Sequence, residues 1–210
     1  MKFNNKDIIF WSKTFYSFII IILIINLFFI WLFKVSGHSM DDTLHNNQYI
    51  LTNKIGNTNL PYIWRLKQIE RGDIVVFNSH IPKQKLDFKD KLFWEKNLYI
   101  KRIIWLPGET VKIQNWKVYI SKDQWKTYKE LNEPYLNKEN KWKTYVWSLW
   151  FIVNPNEAII YNVPKEQYFV LGDNRLGSSD SRTCFQISCD NSKHTPFIKR
   201  EDIIWTLFKK

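Results

Sequence analysis

Two residues in this chain could act together as a nucleophile and its base. Ser39 stands in Val35-Ser36-Gly37-His38-Ser39-Met40-Asp41-Asp42-Thr43-Leu44, directly after a long apolar run. Lys101 stands in Tyr99-Ile100-Lys101-Arg102-Ile103-Ile104. A serine hydroxyl attacks a carbonyl poorly until a base removes its proton. Lysine can be that base only when neutral, so its ordinary pKa of about 10.4 must fall. Burial among apolar residues lowers it, by up to ~5 units in extreme cases. The neighbours of Lys101 could supply such walls. Successive strand residues face opposite sides, so Lys101 can point inward while Arg102 turns to solvent or to a structural carboxylate. Taken singly, a serine is usually a surface hydroxyl and a strand lysine usually lies on a solvated face; both readings stay open on spacing alone. His38 is no base for Ser39, because adjacent residues on an extended chain point apart. His45, His80 and His194 show no ligand spacing, so neither a metal nor a cofactor is expected.

The elements around these residues set where such chemistry would occur. Residues 14–33 carry no charge and match the ~20 residues that cross ~30 Å of hydrocarbon as a helix. Asn26 is the strongly polar side chain near the centre, and Trp31 sits at the far end, where an interfacial aromatic belongs. A cleaved leader would have a shorter apolar region and a small-residue cleavage site. A buried core helix would show a polar face. The reading is therefore a transmembrane anchor at 14–33, a cytoplasmic N-terminus at 1–13 and an exported catalytic domain at 34–210. Lys2, Lys6 and Lys13 against Asp7 set that orientation by the positive-inside rule.

Beyond the anchor, short runs rich in β-branched and aromatic residues alternate with turn signals. Strands are expected at 48–52, 74–77, 98–104, 110–113, 117–120, 157–161, 167–171 and 202–208. Turns are expected at Gly56-Asn57, Pro61 and Leu106-Pro107-Gly108-Glu109. Residues 78–97 read as a lysine-rich loop, and 121–148 show little periodicity. The fold class is mainly β, an all-β domain of barrel or sandwich type behind one transmembrane helix. The net charge of +11 suits an anionic membrane surface. No zinc-finger, P-loop or RNA-recognition signature is present, so nucleic acid is not an expected partner. Cys184 and Cys189 form an even pair in an exported segment, which permits a disulfide; two free thiols are the alternative.

Four stretches in order behind an anchor resemble the bacterial type I signal peptidases, membrane-anchored Ser–Lys endopeptidases. Residues 36–44 resemble the nucleophile box and Arg71-Gly72-Asp73-Ile74-Val75-Val76-Phe77 a structural box. Tyr99-Ile100-Lys101-Arg102 through Glu109 resembles the lysine box. Gly172-Asp173-Asn174-Arg175 through Ser178-Ser179-Asp180-Ser181-Arg182 resembles the last box. The resemblance implies Ser39 as nucleophile, Lys101 as general base and Ser178 as a hydroxyl that bonds and orients the lysine amine. It implies a structural ion pair of Asp180 with Arg182, scaffold roles for Asp173 and Arg175, and Met40 in the substrate groove. The Ser39 N–H would serve the oxyanion, with Gly37 at a second, backbone-type position. A small variable β insertion is expected at about 115–165. The implied activity is removal of signal peptides from exported preproteins after small, Ala-x-Ala-like residues. The implied place is the outer face of the plasma membrane, with preprotein signal peptides and anionic lipid as partners. A mitochondrial inner-membrane-type peptidase and a non-catalytic anchored β binding domain are the rival readings.

The chain departs from that pattern in three places. Asp42 stands where the family has proline. Thr183-Cys184-Phe185-Gln186-Ile187-Ser188-Cys189 replaces an aromatic-glycine segment. Trp105, Trp116 and Trp205 stand where the pattern has glycine, in a chain with 11 Trp and only 6 Gly. Glycine tolerates positive φ and tryptophan does not, so a codon that the source organism decodes as glycine is one explanation. Genuine substitution with local repacking is the other.

Overall fold

The computed structural model describes residues 4–28, 30–53, 68–79, 98–123, 125–148, 151–186 and 195–207. Helix α1, Asn5–Phe28, is followed by strand β1, Ile30–Lys34. The apolar run 14–33 is thus not one helical span: its last residues are strand. Ile30-Trp31-Leu32-Phe33 is β-branched and aromatic, and it pairs antiparallel with β2, Tyr49–Asn53. That pairing gives backbone groups ladder partners beyond the end of the helix. Among the described residues, no helix is long and apolar enough to cross a membrane. Phe10, Trp11, Phe15, Tyr16, Phe18 and Leu23 of α1 are nonetheless well exposed.

The remaining strands are β3 (Ile74–Asn78), β4 (Leu98–Trp105), β5 (Thr110–Gln114), β6 (Lys117–Ser121), β7 (Lys129–Glu130), β8 (Trp147–Ser148), β9 (Phe151–Ile152), β10 (Ile159–Asn162), β11 (Gln167–Leu171), β12 (Ile198–Lys199) and β13 (Ile203–Leu207). Seven form one sheet in the order β1-β2-β13-β3-β4-β11-β12. Four form a second, β10-β5-β6-β7, and β8 pairs with β9. Every pairing among the described residues is antiparallel. The expectation of a mainly β fold holds. The smaller sheet pairs β5 with β6, β7 and β10, which lie within the segment expected as an insertion. The expected turns at 56–57 and 61 lie outside the described residues, as does nearly all of the expected loop 78–97.

β4 is the strand that carries Lys101 and Arg102. It is central, flanked by β3 with Val75 opposite Lys101 and by β11 with Leu171 opposite Arg102. It is walled on both faces, because Ile103 belongs to one apolar cluster with Val75, Phe77, Val170 and Ile203. Ile104 and Trp105 belong to another with Val111, Val118, Phe169 and Leu171. A charged side chain on such a strand has little water to turn to.

The tryptophans divide into two groups. Trp116, Trp125 and Trp142 have positive φ, at 62°, 81° and 58°. Trp105 and Trp205 do not. Trp105 is fully buried, edge-on to Phe169 at 4.8 Å, and Trp205 packs on Phe33 at 4.5 Å. The backbone therefore favours glycine at one of the three expected positions, Trp116, and at two others, Trp125 and Trp142.

Candidate active site

Ser39 rides on a tight turn. Gly37 opens it at φ 104°, a conformation that suits glycine. Thr43 N and Leu44 N both donate to Met40 O, at 2.8 and 2.7 Å, giving one helical turn. Met40 and Leu44 share its inner face and bury against Val35, Ile50 and Ile74. Met40 is 1% exposed, so it anchors the turn in the core instead of lining an open groove, a correction to its expected place. A second turn grips the first: Asn174 N donates to Ser39 O at 3.1 Å, and Asn174 Nδ2 to His38 O at 3.0 Å. His38 turns away to Asp41, with Nδ1 2.9 Å from Oδ2. The Gly37 amide is engaged by Asn46 Oδ1 at 3.1 Å, so it does not face a developing oxyanion as expected. The Ser39 amide makes no hydrogen bond among the described residues.

Lys101 meets this turn from β4. Its Nζ lies 2.7 Å from Ser39 Oγ and 2.9 Å from Ile100 O. The side chain is 3% exposed, and the Tyr99 ring lies 5.4 Å from Nζ. Burial lowers its pKa to about 8; Asp180 and Asp173 oppose that fall and Arg182 adds to it. Arg102, next along the strand, takes the opposite direction. It forms a bidentate pair with Asp173, Nε–Oδ1 at 2.8 Å and Nη2–Oδ2 at 2.6 Å, and donates to Gly72 O. Thr43 Oγ donates to the same Asp173 at 2.5 Å.

Behind the lysine lies the ion pair expected of Asp180 and Arg182. Both oxygens of Asp180 accept from Arg182, at 2.9 and 2.8 Å, and Gly172 N adds a bond at 3.0 Å. Burial raises the Asp180 pKa, but the Arg182 charge and these donors outweigh it, and the net shift is downward. Ser178 does not bond the lysine amine as expected. Its Oγ is buried without a hydrogen bond of normal geometry, though within electrostatic reach of Asp180. Lys101 takes Ser39 Oγ and Ile100 O instead.

A family model described as signal peptidase, peptidase S26, matches residues 8–207. The chain belongs to that family. Signal peptidase I of Bacillus amyloliquefaciens is 36% identical to it over 183 residues, 86% of this chain and 78% of that protein. Signal peptidase I T of Bacillus subtilis strain 168 is 36% identical over 173 residues, 82% and 74% of the two chains. A crystal structure of a signal peptidase I from Enterococcus faecalis V583 matches with a TM-score of 0.42 at 26% identity, over 68% of this chain and 98% of that one. This chain is accordingly an enzyme, a signal peptidase.

The peptidase holds the Ser39 and 172–177 turns partly through the segment 131–146, whose role the sequence did not reveal. Arg175, 1% exposed, pairs with Glu133, donates to Thr144 Oγ1 at 2.6 Å, and reaches Gly172 O at 3.1 Å. Arg182 Nη1 donates to Tyr145 O, and the Tyr135 ring lies 4.0 Å from the Arg102 guanidinium. No periodicity marks these residues; buried Arg175 and Arg182 each needing an acceptor is the one signal that could have pointed to them. Cys184 is disulfide-bonded, and Cys189 lies outside the described residues. No cluster of metal-ligating side chains occurs among the described residues.

Among the described glycines, Gly172 has the tightest surroundings. A Cβ there would sit 2.0 Å from Ser178 Oγ, 2.4 Å from Ser178 Cβ and 2.5 Å from Ser39 O. The last is backbone of the Ser39 turn and cannot swing aside. Gly172→Ala is expected to lower kcat about 100-fold, since displacing a reacting group by ~1 Å costs that much. Near-wild-type kcat in a cleavage assay would show that the turn absorbs the contact.

Proposed function

We propose that the chain is a membrane-anchored Ser–Lys endopeptidase that removes signal peptides from exported preproteins. The observation that carries this reading is the 2.7 Å approach of Lys101 Nζ to Ser39 Oγ in a site walled from water. The neutral amine accepts the Ser39 proton, and Oγ attacks the scissile carbonyl. The Ser39 N–H meets the oxyanion that forms. The lysine, now an ammonium, hands its proton to the departing amine. It then takes a proton from water, whose oxygen attacks the acyl carbonyl; as the bond from Ser39 Oγ to the acyl carbon breaks, the ammonium returns a proton to Oγ and the serine is restored. Asp180 and Arg182 neutralise one another behind the amine, so the carboxylate does not hold the lysine permanently protonated.

The substrate end of the signal peptide would lie extended along a strand edge, with small, Ala-x-Ala-like residues before the cut. The apolar surface of α1 supports anchoring in a plasma membrane, N-terminus cytoplasmic and β domain outside; the net positive charge suits anionic lipid. The test is cleavage of a preprotein with an Ala-x-Ala signal peptide by the full chain and its Ser39→Ala variant. Wild type should cut once, after the small-residue motif, and Ser39→Ala should leave the preprotein intact. Equal processing by both would rule out Ser39 as the nucleophile.

A further inference from the structure

Asp42 belongs to the nucleophile turn yet faces away from its core. Met40 and Leu44, four residues apart on one helical turn, point inward; Asp42 lies between them on the opposite side. There it meets the insertion. Asp42 Oδ2 accepts from Asn137 N at 2.8 Å, and Oδ1 accepts from Asn137 Nδ2 at 2.9 Å and Asn140 Nδ2 at 2.8 Å. Bonds of this kind, to an ionised acceptor, are roughly twice as strong as neutral ones. Asn137 is itself fixed: its Oδ1 takes Glu139 N and Asn140 N at 2.8 and 2.9 Å, and its carbonyl takes Lys141 N at 2.9 Å. Asn140, 5% exposed, uses its remaining group on the other catalytic turn, where Leu176 N donates to its Oδ1 at 3.3 Å.

The connections close a ring. The Ser39 turn joins the 172–177 turn directly, through Asn174 N to Ser39 O. It joins it again through Asp42 and Asn140. The apolar anchor of Met40 and Leu44 is non-directional, and the bonds from Asn174 and to Asp173 hold the turn at His38, Ser39 and Thr43. The bonds to Asp42 add a directional hold on the side that faces the insertion. A proline at 42, as the family pattern has, would stiffen the turn through φ alone; this chain uses a carboxylate and a partner loop.

We infer that Asp42 and Asn140 are positioning residues, a clasp that fixes Ser39 Oγ against Lys101 Nζ by tying the nucleophile turn to the insertion. The inference rests on the Ser–Lys reading above. Both side chains spend their hydrogen bonds on one another, on Asn137 and on Leu176 N, so removing the clasp acts on turnover and leaves substrate binding nearly unchanged.

The test uses the full chain in detergent with an Ala-x-Ala preprotein, reading kcat, KM and thermal midpoint. Asp42→Ala removes the acceptor. Asn140→Asp sets two carboxylates face to face while keeping the acceptor for Leu176 N. Each is expected to lower kcat about tenfold, a fraction of the 100-fold that a full ~1 Å displacement costs, with KM held within about twofold. The exchanged pair Asp42→Asn with Asn140→Asp restores a donor opposite an acceptor between 42 and 140, but leaves Asn137 Nδ2 without its acceptor, and should recover part of the lost kcat. Ser39→Ala is run beside them. If it cleaves like wild type, the Ser–Lys reading falls and this inference with it. If it is inactive while Asp42→Ala and Asn140→Asp keep wild-type kcat, the clasp alone is refuted. A loss in kcat that tracks a lowered thermal midpoint, with no recovery in the exchanged pair, also refutes it, since that is the signature of a purely structural contact.

Discussion

Lys101→Met is expected to end preprotein processing and, at the same time, to make the protein more stable. General bases contribute about 10²–10⁴-fold, and kcat should fall by that factor. The stability gain follows from the lysine's burial. Its pKa drops from 10.5 to about 8 because the ammonium has lost its water, and each tenfold loss of proton affinity is worth about 1.4 kcal/mol. Keeping the charged form in the fold at neutral pH therefore costs roughly 3 kcal/mol. Methionine fills similar volume with no charge to desolvate. Ser39 Oγ and Ile100 O lose a partner, which takes back about 1–2 kcal/mol. The remainder should raise Tm by a few degrees, at roughly 2–4 °C per kcal/mol for a chain of this size.

The pH dependence has the matching sign. The folded lysine binds its proton less tightly than the unfolded one, so between about pH 8 and 10.5 the unfolded chain holds more protons. Wild-type stability should rise across that window, and Lys101→Met should lack that rise. Activity should climb about tenfold per pH unit below pH 8, as the neutral fraction grows, and level off above it. A variant that is inactive and also less stable would mean that the amine is a structural strut. A pH–rate profile flat from about pH 6 to 9 would remove it as the base.

The sequence carried the strands better than the contacts between them. Short runs rich in β-branched and aromatic residues, bounded by turn signals, placed β3, β4 and β11 within a residue or so, because that composition is a local property of strands buried on both faces. Ser39 and Lys101 were found by motif, and their approach depends on two distant elements meeting. The continuous apolar run concealed the break between α1 and β1. Composition alone does not separate a helix end from a strand start; pairing with β2, a long-range contact, does. Met40 sits beside Ser39 yet is core, since the turn brings it round onto Leu44's face. The segment 131–146 was opaque for another reason. Glu133, Asn137, Asn140 and Thr144 are single polar residues reaching across from irregular backbone, and irregular backbone has no period to detect.

The last expectation concerns that same segment and its neighbours. Replacing Trp116, Trp125 and Trp142 together by glycine is expected to stabilise the chain. Their φ values of 62°, 81° and 58° lie in the left-handed region, which costs an ordinary L-residue about 1–2 kcal/mol each. Glycine removes that cost and returns about 0.4–1 kcal/mol of it through a freer unfolded chain. Trp125 and Trp142 are 57% and 58% exposed, so little burial is lost with them. Trp116 gives up a ring contact with Tyr145 at 4.3 Å and contributes least to the gain, but its indole N–H is buried without a partner. The net is about 2 kcal/mol, or roughly 4–8 °C in Tm. Trp105 and Trp205 should not behave this way: their φ needs no glycine, and Trp105→Gly would open a cavity beside Phe169 costing about 3–5 kcal/mol. Peptide mass spectrometry on protein from its native cell should correspondingly find glycine at 116, 125 and 142. Tryptophan at all three positions, together with a Tm that falls in the triple variant, would show that the chain carries these residues by genuine substitution and has packed around them.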